Sequence, residues 1–252
     1  MTSPRRALPI GVLDTASPWW SAPLPRAAQF TPPRWLRNPH VQSILGSGAL
    51  VRWALGHEAR ELERRSRAEI LELGAGVRLQ GFYTPQRERD TRLGLVMLLH
   101  GWEGHAQSNY VVATAVGLVR AGYDVYRLNF RDHGDSHGLN VEPFHSCRLN
   151  EVVAAAASVF ARSGAGVRAL VGFSLGGNFA LRVANAAPAQ AVAIDYALAV
   201  CPVIDPAAGL SRIERTPIYH AYFMRKWRTS LRRKRSLFPA QDLIQDEALR
   251  LD

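Results

Sequence analysis

The sequence predicts an α/β protein, with a mostly parallel sheet and helices on both of its faces. Three observations carry that expectation. Short, nearly continuous apolar runs such as "RLGLVMLLHG" (92–101) have the density of strands buried on both sides. They alternate with longer segments of helical periodicity, the pattern of strand–helix–strand units. At one strand-to-helix junction, in "LVGFSLGGN" (170–178), glycines allow a sharp backbone turn without Cβ clashes.

Taken in order, residues 1–34 are rich in proline and small side chains and are expected to form a surface arm. Segments 68–73 and 77–84 read as a hairpin around Gly74 and Gly76. The buried strand at 92–101 follows. Next is a helix from an N-cap Ser108, apolar at Val111, Val112, Ala115, Val116 and Val119 and stopped at Gly122. "YDVYRLNF" (123–130) is a strand, and an alanine-rich helix is expected near 149–162. "VRALVGF" (167–173) leads into the serine turn and a helix that ends near Pro188, and "ALAVCPVID" (197–205) is one more strand. Beyond it no segment reads as a strand; 212–231 and 239–251 read as helices. The expected organisation is the arm, a core over 35–205 and a helical region over 206–252.

The chain has 252 residues, 47% apolar and 21% charged, which is ordinary for a globular protein with one large core. No apolar run approaches the roughly 18 to 20 residues needed to span a bilayer. The N-terminal stretch is broken by proline and aspartate and lacks a signal peptide's apolar core, so a cytoplasmic location is the default. Cys147 and Cys201 give neither a disulfide framework nor metal-ligand spacing. The net charge of +10 is concentrated at 225–235, where seven of eleven residues are Lys or Arg. That run is expected to be a solvated helical face. Its alternative is contact with an anionic membrane surface; no specific nucleic acid is expected.

Ser174 is the first chemistry-bearing residue. A serine hydroxyl becomes a nucleophile only beside a base, itself oriented by a carboxylate. The second is "LLHGWEGH" (98–105), where the backbone N–H of Trp102, with that of Leu175, is placed to receive a developing oxyanion. The third is "NFRDHGDSHG" (129–138). Its His133, Asp135 and His137, with His145, lack fixed ligand spacing and read as a polar rim loop rather than a metal site.

These segments, with "PPRWLRNPHVQSIL" (32–45) and "FHSCRLNEV" (144–152), resemble the YheT-like branch of the α/β-hydrolase superfamily from about residue 30 onward. The Asn-Pro-His-x-Gln stretch is the most specific piece. The resemblance implies an α/β-hydrolase fold with a helical cap and hydrolysis of small-molecule carboxylic esters, of short or medium acyl chains or acylglycerols. It implies Ser174 as nucleophile, Trp102 and Leu175 as oxyanion donors, and no cofactor. Members of the family usually carry Arg-Gly where this chain has Arg131-Asp132. The family also has two further strands, which carry the triad aspartate and histidine; nothing after Asp205 reads as either.

After Ser174 the only histidine is His220, which reads as a packing residue of a cap helix. Asp205 is an alternative acid, and a base role for His100 competes with its place at a strand end. None of these completes the triad, so the chain is expected to stop before its last two strands and to catalyse weakly. The strand at 197–205 should then lie at an exposed sheet edge that favours self-association. A second reading is a non-catalytic protein that binds an anionic partner through 225–235.

Overall fold

The structure is a computed structural model that describes residues 31–249, apart from positions 88, 165, 242 and 243. The arm foreseen over 1–34 lies outside the described residues except for its last four. Two compact units divide at residues 44 and 45.

In the first unit a 3₁₀ turn, Arg34–Leu36, precedes helix α1, Pro39–Ser47. Asn38 Oδ1 accepts the His40 N–H (2.8 Å), and the Gln42 amide donates to the Leu36 carbonyl. The Asn-Pro-His-x-Gln stretch is therefore a helix start with its own cap.

The second unit holds a six-stranded sheet. In chain order it contains α2 (Ala49–Arg65), β1 (Arg67–Glu72), β2 (Arg78–Thr84), β3 (Gly94–Leu99), α3 (Asn109–Ala121), β4 (Tyr123–Leu128), α4 (Leu149–Phe160), β5 (Val167–Phe173), α5 (Leu175–Ala186), β6 (Tyr196–Val200), α6 (Pro206–Glu214) and α7 (Pro217–Leu237). Strand order is β1-β2-β4-β3-β5-β6, with β1 and β2 antiparallel and β4, β3, β5 and β6 parallel. This is the α/β-hydrolase fold that the resemblance implied.

Every residue of β3 is buried, which explains its unbroken apolar run. Alternate side chains serve opposite faces. Leu95, Met97 and Leu99 pack with Val153 and Val159 of α4 and Phe179 and Val183 of α5. Val96 and Leu98 pack with Val112, Ala115 and Val119 of α3 and with Leu62 of α2. Each such side chain contributes about 1.5–3 kcal/mol on burial.

Several expectations need correction. Helices α1 and α2 were not foreseen; of the described side chains of α2 only Leu62 is fully buried, so its apolar stripe is faint. The segment 201–205 is a loop rather than strand. The helix read over 212–231 is two, because Pro217 can open a helix but not continue one. The segment 239–251 yields only a 3₁₀ turn, Asp246–Leu249, among its described residues, and tucks Ile244 and Leu249 inward.

Strand β6 is one edge of the sheet among the described residues, and β1 is the other. Tyr196, Leu198 and Val200 lie on the α3 side of the sheet, level with Ala169, Val171 and Phe173. They are 61%, 51% and 43% exposed, an apolar row with no helix over it among the described residues. No helix among the described residues is long and apolar enough to cross a membrane.

Candidate active site

The turn after β5 is built by close approach. A Cβ at Gly172 would collide with the Gly176 carbonyl, and one at Gly176 with the backbone of Leu99 and His100. Only glycines let β5, β3 and α5 meet there. Between them Ser174 takes φ 53°, ψ −114°, a conformation rare for a residue with a side chain. Neighbours hold it in place. Its N–H donates to the Val200 carbonyl (2.9 Å), and its carbonyl accepts from Asn178 and Val203. The Ser174 residue is exposed, and its hydroxyl has no hydrogen-bond partner among the described residues.

Gly101 runs beside this turn: a Cβ on it would lie 3.3 Å from Ser174 Cβ. A tight turn follows, closed by the Gly104 N–H to the Gly101 carbonyl (3.0 Å), and Tyr110 accepts the Gly101 N–H (2.9 Å). Among the described residues neither the Trp102 nor the Leu175 N–H has an acceptor. Leu175 opens α5, so its N–H is one of the free donors at a helix start. The Trp102 ring stacks on Phe223 of α7, with centroids 5.0 Å apart and planes 6° from parallel.

His100 is fully buried. Its Nδ1 donates to the Gly101 carbonyl (2.7 Å) and its Nε2 accepts the Phe130 N–H (3.2 Å). Both ring nitrogens are engaged, and burial, with His133 nearby, holds its pKa well below the ordinary value. It is a neutral brace, not a base. Asp205 Oδ1 caps α6 by accepting the Ala208 N–H (3.0 Å), a helix-start role. His220 lies half-buried in the first turn of α7. Among the described residues no carboxylate or histidine is hydrogen-bonded to the Ser174 hydroxyl.

The loop after β4 is largely buried rather than open to solvent. Arg131, Asp132, His133, Ser136 and His137 are all buried. Arg131 pairs with Glu151, and His133 Nδ1 donates to the Arg131 carbonyl (2.8 Å). Among the described residues no three His, Cys, Asp or Glu side chains converge as metal ligands would. Asp132 has φ 58°, the left-handed conformation that glycine favours. Its carboxylate accepts from Lys234 Nζ (2.7 Å) and the Phe144 N–H (2.8 Å). Burial draws both Asp132 and Lys234 toward neutrality, and each opposes that in the other.

The basic run is a solvated face only in part: Arg225, Arg232, Arg233 and Arg235 are exposed, but Lys234 is buried. Lys234 is 1% exposed, Arg233 pairs with Asp135, Arg235 pairs with Asp246, and Arg232 reaches the Leu249 carbonyl. These bonds dock α7. Sequence reasoning missed this, because a lysine that will be buried looks like its solvated neighbours. The one available signal was the aspartate at a glycine-like position.

Between the turn after β3, the loop after β4 and α7 lies a cavity of about 690 Å³, lined by Glu103, His133, His137, Arg225, Lys226 and Arg233 among others. Ser174 is not on its wall. Burial pushes the Glu103 carboxyl up to about 7, against the pull of Lys226. Burial lowers His133 and His137 to about 4.

A family model described as alpha/beta hydrolase fold matches residues 94–244. Similar solved structures include a serine hydrolase without a lid from Xanthomonas campestris. It is 26% identical over 48% of this chain and 56% of that one, with a TM-score of 0.42. Brefeldin A esterase, a bacterial homologue of human hormone sensitive lipase, is 18% identical over 65% and 53%, with a TM-score of 0.45. Esterase Est22 is 18% identical over 66% and 61%, with a TM-score of 0.48. The chain spans about half the length of these structures. No curated protein matches the sequence.

Proposed function

The chain belongs to the alpha/beta hydrolase fold family, and from that premise we propose that it is a serine hydrolase cleaving carboxylic esters through an acyl intermediate on Ser174. The observation that carries the reading is the exposed serine at φ 53°, clamped by its backbone at the end of β5 beside two amides without acceptors. In the reaction Ser174 Oγ bonds to the ester carbonyl carbon and its proton leaves. The carbonyl oxygen becomes an oxyanion facing the Trp102 and Leu175 N–H groups. The bond to the alcohol oxygen then breaks and the alcohol takes up a proton. Water repeats the steps on the acyl-serine and restores the hydroxyl. With no base on the Ser174 hydroxyl among the described residues, that proton passes to solvent. Turnover then rests on binding and the oxyanion donors, about 10³–10⁴-fold over water.

The test is hydrolysis of p-nitrophenyl butyrate by the chain beside its Ser174→Ala variant, with fluorophosphonate labelling as a second readout. Slow turnover and labelling that both vanish in the variant support the reading. Equal rates and no label in either protein overturn it.

Within the superfamily we place the chain in the YheT-like branch, supported by the capped Asn38-Pro39-His40 start of α1. The open apolar row on β6 supports self-association through that edge; a concentration-independent monomer in light scattering would count against it. Binding of an anionic partner along 225–235 has less support, since Arg233, Lys234 and Arg235 are bonded within the fold.

A further inference from the structure

We infer that the cavity beside the Ser174 turn binds an anionic group, a carboxylate or phosphate carried by the substrate, through Arg225 and Lys226. As a statement about substrate, this rests on the reading of Ser174 as the nucleophile.

The first argument is what the wall lacks. Among the described residues, no Ala, Val, Leu, Ile, Met, Phe, Tyr or Trp side chain lines this cavity of about 690 Å³. An acyl chain placed there would meet carbon only on the stems and rings of polar and charged side chains and would strip water from their polar ends, which is costly. The part of a substrate that enters is polar.

The second argument is charge. Three carboxylates and three cations line the wall, yet they do not cancel locally. Asp132 is committed to Lys234, whose ammonium lies behind the wall, and Asp135 is committed to Arg233. Glu103 has no cation bonded to its carboxyl among the described residues, and with its pKa raised to about 7 it carries only part of a charge at neutral pH. On the cationic side, Lys226 spends one of its three N–H donors on the Glu103 carbonyl (3.0 Å). The Arg225 guanidinium has no acceptor among the described residues. Two cations one residue apart on α7 thus keep donors open toward the same space. Arginine suits paired acceptors, and lysine adds a point charge.

Position links the cavity to the ester. The turn that touches Ser174 at Gly101 reaches the cavity wall at Glu103 and Gly104, and a four-residue turn spans less than about 7 Å. A compact ester whose acyl or alcohol part ends in an anion fits that separation.

Titration calorimetry of the whole chain with succinate and, separately, inorganic phosphate tests the site without requiring catalysis. Expected are saturable, salt-sensitive binding of at least one anion, retention of it in Ser174→Ala and Arg225→Lys, and at least about tenfold loss in Arg225→Gln/Lys226→Met. The tighter anion identifies the chemistry. No binding of either anion at tens of millimolar, or equal binding by the double variant, overturns the proposal. If that variant does not fold, loss of anion binding in Arg225→Gln with rescue in Arg225→Lys decides in favour, and no loss decides against. The kinetic arm compares mono-p-nitrophenyl succinate with p-nitrophenyl butyrate, and kcat/KM for the anionic ester alone should fall about tenfold in the double variant. Anion binding without Ser174-dependent hydrolysis sinks the hydrolase reading and leaves the site. Hydrolysis with no preference for the anionic ester and no anion binding does the reverse.

Discussion

Strands β4 and β5 leave the sheet through loops with a non-glycine residue at similar positive φ, Asp132 at 58° and Ser174 at 53°, and hold them in opposite ways. Such conformations cost on the order of 1 kcal/mol or more each. At Asp132 the residue's own side chain offsets the cost, because the buried carboxylate accepts from Lys234 and from the Phe144 N–H. At Ser174 the side chain contributes nothing and faces solvent, and the backbone is held by Val200, Val203 and the glycines around it. A positive φ serves a buried ion pair in one loop and an exposed hydroxyl in the other. What separates them is where the side chain goes.

The strongest way to break the comparison is at the glycines. Gly172→Ala should cost at least about 4 kcal/mol and leave little folded protein by circular dichroism; a native-like variant would mean that close packing does not hold the serine turn. Next, Lys234→Met should cost about 3–5 kcal/mol in urea unfolding, because it leaves the Asp132 carboxylate buried alone. Adding Asp132→Gly should recover most of that loss, since glycine accepts the backbone without a partner. A double variant no better than the single would show that Asp132 is not held through its side chain.

Acidity sharpens the contrast further. His100, His133 and His137 all have folded pKa values below the ordinary 6.5, with His133 and His137 near 4. The unfolded chain therefore takes up protons first as pH falls. Stability should rise from about pH 4 to 6.5 and level off above, by up to about 1.4 kcal/mol per pH unit for each histidine. Glu103 works the other way: its raised value means that its contribution fades as pH climbs from 4.5 to about 7. Asp132, also raised by burial, acts in the same direction as Glu103; two carboxyls against three histidines leave the net slope positive, and urea midpoints that stay flat across this window would contradict it. The smallest effect belongs to Ser174→Gly, expected to stabilise by about 1 kcal/mol while abolishing turnover. A destabilised variant would show that the serine side chain does support the loop.

Much of the parallel sheet was legible because β3, buried on both faces, advertises it as an unbroken apolar run, and β4 and β5 carry shorter apolar runs interrupted by Asp124, Arg127 and Arg168. The serine turn was legible because close backbone approach admits only glycine, and glycine is visible in sequence. The packing of α2 was not, since the helix buries little of its described surface. Lys234 was illegible for a different reason: its burial depends on a carboxylate about a hundred positions earlier, and no local pattern records that meeting. His100 was half legible. A histidine at a strand end invites a base, and only the bonds at both ring nitrogens show that it is a brace.

Trp102 is gripped at two ends, its ring by Phe223 of α7 and its chain by the turn that touches Ser174. One side chain thus pins α7 to the loop that runs beside the serine.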